Sequence, residues 1–485
     1  MRDTKIAVAR PFEGGPQIHL PECIGASPRK PMIVRIPVTG ERPITYQVGK
    51  LPEGLTLADG VISGSVAEEG IYEVLVSAEN QLGRAEKRIL LEIRQDTVQL
   101  TPLLGFTSWN AFGFEVTQEQ MEQTAARMLE LGICEYGYNH INIDSGWQGE
   151  YGGKYDAIMP NEKFPDMKGM CDRMHAKGLK CGIYSTPMLH AFGCSMKRVP
   201  LPPGCTQGEP DVRFADERGG IGQIRKEKNN ALQWAEWGFD YLKYDWRPSD
   251  PYNAELMRQE LVQTDRDFGF CVTVKARPEY HTYWKRYCNS YRCNPDSIRT
   301  WSNLLEIYRT YFDFVDYMNK GHFFDLDMMD TGECKLFGKL GYEEKPDYGF
   351  TEDEQLVAFS MRAFLNSPIQ ISSTLETIDE FELSMYCNEE ILAINQDCGF
   401  EPARPCQMLE DGRKMVHVFR KKLGNGDCAY ALFNLGETRE NVKVYPEQKA
   451  VIRDVWAKQD LGESDVICED MMPHTVRIFR CRAVD

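Results

Sequence analysis

Four aspartates stand at the ends of short apolar runs. Asp144 follows Ile141-Asn142-Ile143, Asp245 follows Tyr241-Leu242-Lys243-Tyr244, Asp296 lies just past Asn289 to Arg292, and Asp327 follows Phe323-Phe324-Asp325-Leu326. One aspartate in such a place commonly caps the next helix or opens a turn. Capping does not explain the cations that accompany two of them. Lys243 lies two residues before Asp245, on the same face of an extended strand, and Arg292 lies four before Asp296. A cation beside a carboxylate favours its ionised form, so Asp245 is expected to be held ionised and ready to attack. Carboxyls brought together at such strand ends are what glycosidic-bond cleavage needs: one attacks or activates water while the other protonates the leaving oxygen.

Side chains from distant segments converge in this way when parallel strands end at one rim. From about residue 101, short apolar stretches alternate with amphipathic helical ones, the pattern of β/α units. Candidate strands are Gly105 to Trp109, His140 to Asp144, Lys180 to Ser185, Tyr241 to Asp245, Phe270 to Lys275, Asn289 to Arg292, His322 to Asp327 and Ile369 to Ser373. Eight such units predict a closed (β/α)8 TIM barrel, an α/β fold whose active site lies at the C-terminal ends of the strands. Between the first two strands, Thr117-Gln118-Glu119-Gln120 reads as a capping box, with Met121, Ala125, Met128 and Leu129 on one helical face and Gly132 closing the helix. Before the barrel, turn signals at Leu51-Pro52-Glu53-Gly54 and Asp59-Gly60 separate short β-rich segments, which predicts an N-terminal immunoglobulin-like β-sandwich. After about Gln396 the helical period disappears. Met415 to Phe419, Cys428 to Phe433, Val451 to Trp456 and Val476 to Phe479 read as antiparallel strands of a C-terminal β domain. The expected boundaries are 1–98, 99–400 and 401–485.

Composition narrows the function classes. The 485 residues are 42% hydrophobic and 27% charged, which is ordinary for a folded globular chain. A net charge of −17 with no Lys/Arg-rich run excludes a phosphate-tracking surface, so neither nucleic acid nor an anionic membrane is an expected partner. No run of about 18 apolar residues is present, and the first sixteen residues lack the apolar core of a secretory leader. The expectation is a cytoplasmic protein, or a secreted one if a leader has been removed. Sixteen cysteines without a C-x-x-C pair, and only eight histidines, argue for buried thiols over a disulfide framework and against a zinc site. Neither metal nor organic cofactor is expected. The partner is a glycoside or oligosaccharide substrate, and assembly into a homo-oligomer stays open.

Several segments occur in an order and spacing that resemble a known family. They are Gly105-Phe106-Thr107-Ser108-Trp109-Asn110, Asn142-Ile143-Asp144-Ser145-Gly146-Trp147, Gly182-Ile183-Tyr184-Ser185-Thr186-Pro187, Tyr241 to Trp246 and Asn289 to Asp296. Together with Leu365-Asn366-Ser367-Pro368 and Ile394-Asn395-Gln396-Asp397, they are similar to glycoside hydrolase family 27, the α-galactosidases and α-N-acetylgalactosaminidases, in its bacterial branch. The resemblance implies a retaining exo-α-glycosidase, with Asp245 as nucleophile and Asp296 as acid/base. It further implies Trp109 as the aromatic wall of the sugar pocket, Asp144, Lys243 and Arg292 on substrate hydroxyls, and Tyr184 beside the nucleophile. Asp327 and Met328 fall in a motif usually read Asp-Pro-Asp-Met, here Asp325-Leu326-Asp327-Met328. Two positions depart from the family pattern: Ser145 where a second aspartate is usual, and Lys275 where an acid or small polar residue is usual. They leave open an α-N-acetylgalactosaminidase, a β-L-arabinopyranosidase or another exo-glycosidase on the same scaffold, and a catalytically silent carbohydrate-binding protein is the rival of another class.

Overall fold

The computed structural model describes residues 2–187, 225–246, 249–273 and 278–484. Lys275 lies outside the described residues. Eight short strands line up in chain order as one parallel sheet: β1 (Leu104–Thr107), β2 (His140–Asn142), β3 (Lys180–Ser185), β4 (Tyr241–Asp245), β5 (Gly269–Thr273), β6 (Ser290–Tyr291), β7 (Phe323–Phe324) and β8 (Ile369–Ile371). Each falls on or overlaps one of the eight expected stretches. β1 pairs with both β2 and β8, and the ring closes where Met329, just past β7, bridges Ile371 of β8. Nearly every residue of these strands is buried, as expected for parallel strands covered on both faces, and this is why they read as continuous apolar runs.

Local chemistry sets the elements between strands. Thr117 accepts from the Gln120 amide while Gln120 Oε1 accepts from the Thr117 amide, so the capping box opens helix Gln118–Glu130. Met121, Ala125 and Met128 are its buried stripe, and Gly132 follows it at φ 76°, a left-handed conformation that suits glycine. Helix Glu352–Phe364 is buried along its whole length from Leu356. It packs on the C-terminal sheet, where Trp456 Nε1 donates to Ser360 Oγ at 3.2 Å.

The N-terminal strands form a four-stranded and a three-stranded sheet over a core of Val34, Ile36, Ile62, Val74, Val76 and Leu91. The C-terminal strands form a six-stranded antiparallel sheet beside a two-stranded one. Two of its members, Arg404–Asp411 and Gln459–Ser464, have no counterpart in the sequence reading. Both are mostly exposed and lie at the outer edges of the sheet, so they carry no alternation of apolar and polar residues. No helix among the described residues is long and apolar enough to cross a membrane.

The cysteines depart from expectation in one pair. Cys134, Cys181 and Cys271 are buried free thiols, as expected, but Cys23 and Cys398 are joined as a disulfide. This bond ties strand Cys23–Ala26 of the N-terminal sandwich to the segment after the last barrel helix, 375 residues away. Sequence spacing over that distance carries no sign of the pairing. Cross-linking distant residues removes conformational freedom from the unfolded chain. Cys23→Ser, or thiol reduction of the wild type, should therefore destabilise the protein by about 2–4 kcal/mol. Thermal scans of the variant and of the wild type with and without reductant check this; a variant melting with the oxidised wild type would show that the bond contributes nothing.

Candidate active site

β4 delivers Lys243 and Asp245 to the interior, because alternate residues of a strand share a face. Lys243 Nζ donates to Asp144 Oδ2 at 2.7 Å, joining β4 to the residue that follows β2. Asp144 is itself fixed by Ser108, whose Oγ accepts from its amide, and Asp144 Oδ1 accepts from the Ser145 amide. From β3, Tyr184 Oη donates to Asp245 Oδ2 at 2.9 Å. Behind that tyrosine, Trp147 Nε1 donates to its carbonyl, which makes Trp147 a fully buried supporting ring. Trp237 and Trp246 are also core aromatics. Trp109, at the end of β1, is half-buried and packs edge-on against Phe114.

Arg292, just past β6, occupies the other side of the site. Its Nε donates to Thr273 Oγ1 at 2.6 Å, Nη1 to Asp327 Oδ2 at 2.9 Å, and Nη2 to Asp296 Oδ1 at 2.9 Å. One guanidinium thus joins the ends of β5 and β7 to the loop that carries Asp296. Asp327 adopts φ 67°, unusual for a residue with a side chain, and its amide donates to Asp325 Oδ1. The turn aims the Asp327 carboxylate at Arg292 and at the Ser297 amide, which donates to Oδ2 at 2.6 Å. The two candidate reacting acids differ sharply: Asp245 is 8% exposed, whereas the Asp296 side chain is 59% exposed.

Electrostatics correct the sequence reading at Asp245. Its carboxyl is pushed up to about 7, first by burial and also by Asp296, against the opposing pull of Lys243, Arg292 and the Tyr184 hydrogen bond. Lys243, expected to hold it ionised, does lower it, as does Arg292, but burial outweighs both; Lys243 is paired with Asp144, and Arg292 with Asp327 and Asp296. Asp245 Oδ1, moreover, is buried with no hydrogen-bond partner among the described residues. An uncompensated buried oxygen penalises the charged form. Burial likewise raises Asp325 to about 6 and Asp330 to about 7.

The structure brings Asp144, Tyr184, Lys243, Asp245, Arg292, Asp296 and Asp327 into one connected cluster. Ser145 and Met328 are both buried next to it. Sequence reasoning missed Thr273, Ser297 and the supporting role of Asp325; of these, only Thr273, at a strand end, carried a positional signal. Among the described residues, no group of three or more His, Cys, Asp or Glu is arranged to hold a metal ion.

Comparison with known proteins places this rim in a family. Residues 101–195 and 211–397 match the family described as alpha galactosidase A, and residues 414–481 match its C-terminal beta sandwich domain. This chain belongs to the alpha-galactosidase A family. As a member it is a glycoside hydrolase, and every cluster residue named above falls within the matched segments. It is 29% identical to alpha-galactosidase A of Cellvibrio japonicus over 352 residues, covering 69% of this chain and 76% of that one. It is 26% identical to alpha-galactosidase 2 of Arabidopsis thaliana over 393 residues, covering 78% and 84%. A Bacteroides fragilis protein, provisionally assigned as an alpha-galactosidase/melibiase, shares its structure with a TM-score of 0.84 at 28% identity, over 98% of this chain and 99% of that one. That likeness includes the N-terminal sandwich, which the family match leaves out.

A buried carboxyl with a raised pKa has a definite effect on stability. The unfolded chain ionises Asp245 near pH 4 and the folded one near 7, so this group withdraws stability as pH rises between those values and the loss persists above them. Asp245→Asn should therefore stabilise the fold by about 2–4 kcal/mol at pH 8 and by little at pH 4. Denaturant unfolding at the two pH values checks this; equal effects at both would contradict the raised pKa.

Proposed function

We propose that this family member is a retaining exo-α-galactosidase that cleaves terminal α-D-galactosides by double displacement, with Asp245 as nucleophile and Asp296 as acid/base. The observation that carries the reading is the contrast between the two carboxyls. Asp245 is enclosed, oriented by Tyr184 through one oxygen and, among the described residues, without a hydrogen-bond partner at the other. Asp296 stands exposed on a loop and is held by Arg292. A nucleophile needs an oxygen free to form a bond, whereas an acid/base must reach the leaving group and then water. The names of the Cellvibrio and Arabidopsis relatives support galactose as the sugar.

In the first step, Asp245 attacks the anomeric carbon as the bond to the leaving oxygen breaks, and Asp296 gives that oxygen its proton. In the second, Asp296 takes a proton from water, which attacks the same carbon and releases Asp245. Two inversions leave the α configuration unchanged. Trp109 walls the sugar, while Asp144, Lys243 and Arg292 meet its hydroxyls. Asp327, Met328 and Ser145 complete the proposed substrate-binding set, to which Lys275, outside the described residues, is added from its sequence position alone.

Asp245→Ala should abolish turnover of every α-galactoside while leaving the fold intact. Asp296→Ala should cost about 10²–10⁴ in rate on alkyl galactosides and far less on activated aryl galactosides, whose leaving groups need no proton. Equal losses on both substrates would remove Asp296 from the acid role. Proton NMR should show α-galactose as the first-formed product; the β anomer would exclude double displacement.

A further inference from the structure

One buried arginine behind the site binds no carboxylate. Arg362, in helix Glu352–Phe364, is 2% exposed. Its Nε donates to the Asp327 carbonyl at 2.9 Å, Nη2 to the Met328 carbonyl at 2.7 Å and more loosely to Ser297 Oγ at 3.5 Å, and Nη1 to the Ala358 carbonyl at 3.0 Å. The left-handed turn at Asp327 takes two consecutive carbonyls out of the strand ladder and into the interior, where each needs a donor. A planar guanidinium reaches both at once, which a lysine ammonium on its single point cannot do with the same geometry. The Asp327 carboxylate on that turn receives the Ser297 amide and Arg292, and Arg292 in turn holds Asp296. Arg362 therefore grips the Asp296 loop at two points: through Asp327 and directly at Ser297.

We infer that Arg362 is a positioning residue for Asp296: by fixing the Asp327 turn and Ser297 from behind, it sets where the acid/base carboxyl stands. The inference rests on the roles proposed for Asp245 and Asp296. An arginine that only stabilised the core would, when replaced, lower stability and slow all substrates alike. One that places the acid slows the substrates that need protonation, because small displacements of a reacting group are costly in rate.

The test compares R362K with wild type on methyl α-D-galactoside, which needs the acid, and 2,4-dinitrophenyl α-D-galactoside, which does not. Ser360→Ala serves as a control, since it loosens the same helix at its hydrogen bond with Trp456, on the side of the C-terminal domain. R362K should lose about tenfold more kcat/KM on the methyl glycoside than on the aryl one, chiefly in kcat. Ser360→Ala should lower the melting temperature with the ratio of the two substrates unchanged. If R362K yields no folded protein, Ser297→Ala removes the direct link alone and should shift the same ratio the same way by about twofold. An unchanged ratio in the folded arginine variant, or in Ser297→Ala where that stands in, overturns the positioning role, as does an equal shift in Ser360→Ala. A wild type that cleaves neither glycoside overturns the galactosidase reading itself, a result visible before any variant is made.

Discussion

The guanidinium of Arg292 is where the geometry of this rim is decided. It is 3% exposed and bridges Asp327 to Asp296 while donating to Thr273, so the ends of two strands and one loop share a single planar group. Desolvating a cation so completely is tolerable only with acids in contact, and two are supplied. Those acids are then committed: Asp327 spends its carboxylate on orientation, and the exposed Asp296 is tethered through Oδ1. The left-handed turn at Asp327 and its buttress of Asp325 exist to bring that carboxylate into place.

A second constraint follows from charge balance. The cluster holds Lys243 and Arg292 against Asp144, Asp245, Asp296 and Asp327, so acids outnumber cations among the groups in direct contact. The surplus falls on Asp245, which is buried and has one oxygen without a hydrogen-bond partner among the described residues. An attacking carboxylate with little compensation is a stronger base and a readier nucleophile than one locked in an ion pair, and the corresponding cost is a narrower range of pH in which it is ionised. The Tyr184 hydroxyl orients it without neutralising it.

The strands were legible in the sequence because each is a short apolar run closed by a polar residue, and the capping box at Thr117 was legible because it is a local exchange between residues three apart. Asp245, Asp296, Lys243 and Arg292 were found because strand ends in a parallel barrel share one rim. What was not legible depends on segments far apart in the chain. The pairing of Lys243 with Asp144 consumes the cation that seemed, from strand β4 alone, to serve Asp245. Arg362 sits in a helix buried on nearly all sides, where an arginine gives no sign of the carbonyls it meets. Strand Arg404–Asp411 is so exposed that no pattern marks it.

The bond between Cys23 and Cys398 closes a covalent ring around the entire barrel. A peptide cleavage at any surface loop inside that ring leaves the two pieces joined, held by the sulfur bridge and by the intact sheet hydrogen bonds on either side of the cut. Such a nicked molecule runs as one species on a gel until thiol is added, and then separates into two. The ring therefore turns a proteolytic wound from a loss of the protein into a change of its connectivity.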